Sequence, residues 1–95
     1  MTNAKEELLE HIKDRSVKCV HVSLINDEDN EIIAIGQLEK IIEKINFDYD
    51  NGFGAQMLHG TIWYEDGTWS ERQEYDGSEK WVYKKCPKLP TQEII

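Results

Sequence analysis

The sequence is poor in the residues that usually declare a chemistry. It has two cysteines, Cys19 and Cys86. Two thiols so placed make no disulfide framework and no Cys-x-x-Cys motif, so free thiols in a reducing compartment are expected. Both prolines, Pro87 and Pro90, fall near the C-terminal end. They end regular structure and make residues 87–95 a loose tail of a single domain, 1–95. No apolar run approaches membrane-spanning length, and the first residues are polar and helical rather than signal-like. A cytoplasmic protein without membrane contact is expected. Positive charge is also scarce: 11 basic against 19 acidic residues give −8. That excludes a general nucleic-acid binder, which needs a basic footprint. It leaves docking on a basic protein surface by electrostatic steering, or simple solubility.

Catalytic and metal motifs are missing too. Asp48, Asp50 and Asn51 suggest calcium, but a twelve-residue loop starting at Asp48 has His59 where the bidentate Glu belongs. Cys19 and His21 point the same way on one strand, yet zinc needs two more ligands, and only a coincidence of folding would bring Cys86 and His59. Cys19, Cys86, Ser70 and three scattered histidines are ingredients for nucleophilic catalysis without a motif. Gly52-Phe-Gly54 lacks the following helix and basic residue of a phosphate loop. Acid pairs such as Glu71 with Glu74 or Glu79 are ordinary on exposed strands. The expectation is no cofactor, no metal and no enzyme.

What the chain does have is concentrated between Gly60 and Lys85. This stretch holds all three tryptophans and three of the four tyrosines. Asp66-Gly67 and Asp76-Gly77 divide it into three runs suited to strands, at 60–65, 68–75 and 78–85, since Asp-Gly tolerates the positive φ of tight turns. Register decides its faces. Two-residue turns put Tyr64 opposite Trp69 and Arg72 opposite Trp81. Three-residue turns with a Gly bulge put Trp63 opposite Trp69 and Glu71 opposite Trp81. The second choice gathers Trp63, Trp69, Trp81 and Tyr83 on one face and is preferred, because it buries more apolar area. Glu71 then sits among the tryptophans, as a half-exposed residue at the sheet margin or as a polar anchor that accepts from indole N–H groups. Arg72 faces the other way as a solvated cross-strand partner for acids. The aromatic cluster is core if a helix covers it and a binding surface if none does.

The rest of the chain supplies partners for this meander. Asn3 with Glu6 reads as a capping box, and Ala4, Leu8, Leu9 and Ile12 recur at helical spacing up to about Arg15. Val17–Ile25 alternates, with Val20, Val22 and Leu24 on one face. Asn26–Asn30 is a polar turn, and Glu31–Ile35 returns to complete a hairpin. Leu38, Ile41, Ile42 and Ile45 mark a second helix at about 37–45. The segment 46–54 reads as a strand or a loop. Together these predict an α+β fold: an antiparallel sheet of about five strands, from hairpin 17–35 and meander 60–85, with helices at about 3–15 and 37–45 on one face.

The run Gly60-Thr-Ile-Trp-Tyr-Glu-Asp-Gly-Thr-Trp-Ser-Glu-Arg, then Glu74-Tyr-Asp-Gly-Ser-Glu and Trp81, resembles a family of small proteins encoded by bacteriophages and prophages. Phe47–Gly54 and Lys85-Cys-Pro look like the same family. The resemblance covers about 47–90 and implies origin rather than chemistry, so it transfers no functional residues. It implies the cytoplasm of a bacterial host. By analogy with small acidic phage proteins, it also implies a non-enzymatic inhibitor of a host defence factor, docking through an acidic, aromatic-rich surface. A sponge for a small nucleotide signal is the alternative, and a small hydrolase using Glu71 or a Cys/His pair the third. The candidate binding residues are Trp63, Trp69, Glu71, Arg72, Trp81 and Tyr83. Self-association through the aromatic face is a further possibility.

Overall fold

A computed structural model of the chain describes residues 1–25, 31–50, 52 and 56–86, with the backbone alone at 25 and 31–33. The turn expected at 26–30 and the tail expected at 87–95 lie outside the described residues. The first helix begins where its cap predicts. Asn3 Oδ1 accepts the Glu6 backbone N–H at 3.0 Å, satisfying one donor of the open first turn. Helix α1 runs Ala4–Ile12 and buries Ala4, Leu8 and Ile12. It stops before Arg15 because Lys13 turns to a φ of 57° and returns its N–H to the Leu9 carbonyl. Residues Thr2–Asn3 (β1) pair antiparallel with Asp48–Tyr49 (β4). Ala4 N also donates to the Phe47 carbonyl at 2.9 Å. This small clip ties the start of α1 to segment 46–49.

Strands β2 (Val17–Ile25) and β3 (Glu31–Gly36) form the expected hairpin, followed by helix α2 (Leu38–Lys44). The meander is β5 (Leu58–Tyr64), β6 (Trp69–Tyr75) and β7 (Ser78–Lys84). The five strands make one antiparallel sheet in the order β3-β2-β5-β6-β7. The fold is α+β, with both helices on one face. Leu8, Ile12 and Ile41 from the helices and Ile45 at the C-cap of α2 meet Val20, Val22, Leu58, Ile62 and Trp81 from the sheet in a single core.

The two Asp-Gly turns differ, and the difference sets the faces. At the first, Trp63 stands opposite Trp69, the three-residue form, with Gly67 at a φ of 87°. Asp66 Oδ1 accepts the Thr68 N–H at 3.0 Å. Bonds to Thr68 hold the Asp66 carboxyl below its ordinary range. At the second, Tyr75 stands opposite Ser78 and Arg72 opposite Trp81. Asp76 and Gly77 both have positive φ, 52° and 84°, the signature of a two-residue turn. The expected three-residue register of this hairpin is therefore corrected: Glu71 faces Val82 rather than Trp81. A one-residue slip exchanges the faces of a whole strand, so Trp81 and Tyr83 leave the face of Trp63 and Trp69.

The physical reason lies in Arg72. Its side chain is fully buried, and a buried guanidinium must be met by acids and acceptors. Nη1 donates to Glu7 Oε1 at 3.0 Å, and Nη2 donates to Glu79 Oε1 and the Tyr49 hydroxyl, each at 2.7 Å. Its Cζ lies 5.2 Å from the Trp81 ring centroid. Glu79 also accepts the backbone N–H groups of Met57 and Leu58 at 2.7 and 2.8 Å. Gly60 leaves room for the indole beneath: a Cβ there would sit 3.2 Å from Trp81 Cη2 and 2.2 Å from the His21 carbonyl. The expectation of a solvated Arg72 is thus overturned. Replacing Arg72 with Met strands two carboxylates and is expected to lower unfolding free energy by about 3–5 kcal/mol in urea titrations. Lys80→Met, on the exposed side of β7, is expected to change it by no more than about 0.5 kcal/mol.

Candidate functional site

Alternation along the strands sends one set of side chains into the helical core and the other set to the opposite face. Among the described residues no element packs over that second face. The pairing aligns it in rows. Cys19, Trp63, Trp69 and Lys84 stand side by side across β2, β5, β6 and β7. The next row is Ile35, His21, Thr61, Glu71 and Val82. Trp63 keeps 40% of its surface exposed and Ile35 keeps 67%. Large apolar side chains grouped on an open sheet are what interfaces and flat-ligand sites use.

Glu71 fixes the aromatic row. Trp69 Nε1 donates to Glu71 Oε1 at 2.9 Å, and Glu71 Oε2 lies 3.4 Å from Lys84 Nζ. The carboxylate, half-exposed and close to charge-neutral with Lys84, holds the Trp69 ring in one orientation. At the β2 end, a bulge between Val17 and Cys19 breaks the register with β5. The extra residue is Lys18. Beside it lies a shallow hollow of about 410 Å³, walled by Lys18, Cys19, Ile35, Trp63, Gly67 and Thr68 among others.

Of the residues singled out in the sequence, the fold brings together Trp63, Trp69 and Glu71. It separates the other three. Arg72 and Trp81 are in the core, because the second turn has the two-residue register that Arg72 requires. Tyr83 sits at the margin of the helical face, where the Arg15 guanidinium carbon lies 4.0 Å from its ring centroid. The aromatic cluster is therefore divided: Trp81 is core, and Trp63 with Trp69 forms an open surface. Cys19 and His21 share the open face, and among the described residues no third His, Cys, Asp or Glu joins them.

A second polar group was missed. Ser70 Oγ lies 2.8 Å from His11 Nε2 and 2.7 Å from the Tyr64 hydroxyl. His11 stacks on Trp81, centroids 6.4 Å apart. A nucleophile and a base are in contact here, but Ser70 is 0% exposed. The arrangement closes a hydrogen-bonded chain instead, linking the Tyr64 hydroxyl, the Ser70 hydroxyl and His11 Nε2. Glu7 and His11, four residues apart, flank the stripe Ala4–Leu8–Ile12 and face the sheet. Their i,i+4 spacing beside an apolar stripe is the signal that would have found them. Tyr49 joins through its hydroxyl, which donates to Glu7 Oε1. Burial and the Glu7 bond push the Tyr49 phenol well above its ordinary range.

Compared with known proteins, the chain matches no family model, no curated protein and no solved structure. Function has to be argued from the geometry itself.

The buried chain carries a pH dependence. Burial first, then the Arg15 guanidinium, lowers the His11 imidazole below its ordinary 6.5. The unfolded chain then binds the proton more readily than the folded one. The stabilisation is complete above pH 6.5 and is lost as pH falls through 6.5 toward the lowered folded value. Denaturant titrations across this window are expected to show stability falling with acid, with a shallower fall in His11→Gln. Equal slopes in the two proteins would contradict this.

Proposed function

We propose that this chain is a non-enzymatic, phage-encoded binding protein that inhibits a host factor of anti-phage defence by docking through the open face of its sheet. The observation that carries this reading is the Trp63–Trp69 pair, set side by side on a face that no described element covers. Tryptophans dominate binding energy when they are driven into a partner's pockets. Trp69 is already oriented by Glu71, so docking loses less side-chain freedom. Acids stand on the turns at the ends of this face, Glu65 and Asp66 at one end and Asp76 at the other. Around an apolar centre they act as a charged rim, steering a basic partner at long range. The burial of Ser70 supports a role without hydrolysis. The resemblance to phage proteins supplies the bacterial cytoplasm as the setting.

The reading is tested by capture from host extract on the immobilised protein at low and high salt. Trp63→Ala and Trp69→Ala are each expected to weaken retention of the captured protein roughly 30-fold, equivalent to about 2 kcal/mol. Salt is expected to slow its association. Retention untouched by both substitutions, in variants that keep the wild-type circular dichroism, would contradict the proposal.

A further inference from the structure

The charge of the open face is not that of the whole molecule. The chain carries −8, yet the aromatic row has a lysine at each end. Lys84 stands beside Trp69 on β7. Lys18 comes from the bulge next to Cys19, which faces Trp63 on β2. Bulges re-aim a side chain at the margin of a sheet; this one places Lys18 in the wall of the hollow, where it is the only charged residue among the described ones, while Glu39 and Glu65 border this lysine on the side away from the tryptophans. Lys18 makes no ion pair among the described residues. The one acid in the neighbouring row, Glu71, is matched by Lys84.

We propose that this row and hollow form a site for a small nucleotide, its base stacked on Trp63 and Trp69 and its phosphate held by Lys18. The inference rests on the reading that the open face is the binding face, and it names a ligand class for one corner of that face. Three features favour a nucleotide over a purely apolar ligand or a nucleic-acid strand. Indole rings stack on bases without regard to sequence. The hollow, about 410 Å³, lies within the roughly 300–1,000 Å³ range of small-molecule clefts. One lysine without an ion pair among the described residues suits one phosphate group, whereas a strand would need many cations that a protein of −8 does not present. Trp69 is held ready for stacking by its bond to Glu71. The half-buried thiol of Cys19 adds a polar atom to the wall, while the Thr68 hydroxyl already donates to Asp66.

The test is calorimetric titration of the full chain with adenosine monophosphate, adenosine and inorganic phosphate, with tryptophan fluorescence followed in parallel. Saturable binding of the monophosphate with quenching is expected. Trp63→Leu is expected to weaken it by about tenfold or more, and Lys18→Met by about tenfold. Adenosine should bind more weakly and be indifferent to Lys18→Met, because it lacks the phosphate that Lys18 would hold. Both variants change side chains on exposed parts of the sheet, and circular dichroism checks their fold. The proposal is overturned if the monophosphate shows no saturable binding. It is equally overturned if Trp63→Leu leaves binding unchanged, or if phosphate alone binds as well as the nucleotide. In any of these outcomes, host-protein capture that still depends on Trp63 and Trp69 would leave the docking role standing while removing the nucleotide.

Discussion

A guanidinium removed from water needs acids and acceptors at its amino groups, and the fold is arranged around that demand at the two Nη atoms of Arg72. Three elements converge on it: Glu7 from α1 and Tyr49 from β4, both distant in sequence, and Glu79 from the neighbouring strand β7. Each brings more than its own bond. Glu7 places α1 on the sheet. Tyr49 draws in the β1–β4 clip. Glu79 carries its second load at the start of β5, where it holds the N–H groups of Met57 and Leu58. A buried ion pair of this kind adds little net stability over an apolar core of equal shape. Its effect is on specificity, because a one-residue slip of β6 against β7 would send Arg72 to the face opposite Glu79 and Trp81.

That register has a consequence for the opposite face. Turning Trp81 inward leaves Trp63 and Trp69 as a pair without it, with Glu71 between Trp69 and Lys84. The same constraint that fills the core therefore defines the open surface. The helices and the cap of α2 supply the closed side with Leu8, Ile12, Ile41 and Ile45, and no described element does the same for the other. Long-range attraction and close contact then fall to different residues. The acids lie on turns, while the lysines that approach the aromatic row come from a bulge and a strand end.

Much of this was legible because it is local. The cap at Asn3, the apolar stripes of both helices, the alternation of β2 and the Asp-Gly turns each depend on residues a few positions apart. Two of the three bond partners of Arg72, Glu7 and Tyr49, do not. Glu7 is 65 residues away from it, and His11 is 59 away from Ser70. Asp-Gly serves two-residue and three-residue turns alike, so the turn chemistry at Asp76-Gly77 was silent on register. Clustering of aromatics was the wrong arbiter there, because it counted apolar area and ignored where a buried cation would find its acids. At Asp66-Gly67 the same criterion agreed with the structure. Two-residue strands such as β1 and β4 carry no periodicity to detect. The bulge that exposes Lys18 leaves no mark in the alternation of Val20, Val22 and Leu24. Hence Trp63, Trp69 and Glu71 were placed together from the sequence, whereas Trp81, Arg72 and Lys18 needed the fold.

The separation of the tryptophans is the point on which both the fold and the binding face turn. It can be read from the indole N–H resonances of the folded protein in the presence of a soluble paramagnetic agent. With the two-residue turn at Asp76-Gly77, the Trp63 signal is expected to be strongly attenuated, that of half-buried Trp69 partly attenuated, and that of Trp81 spared. A Trp81 signal bleached as strongly as that of Trp63 would place all three on one surface. It would contradict both the register of β6 with β7 and the division of the sheet into a closed and an open face.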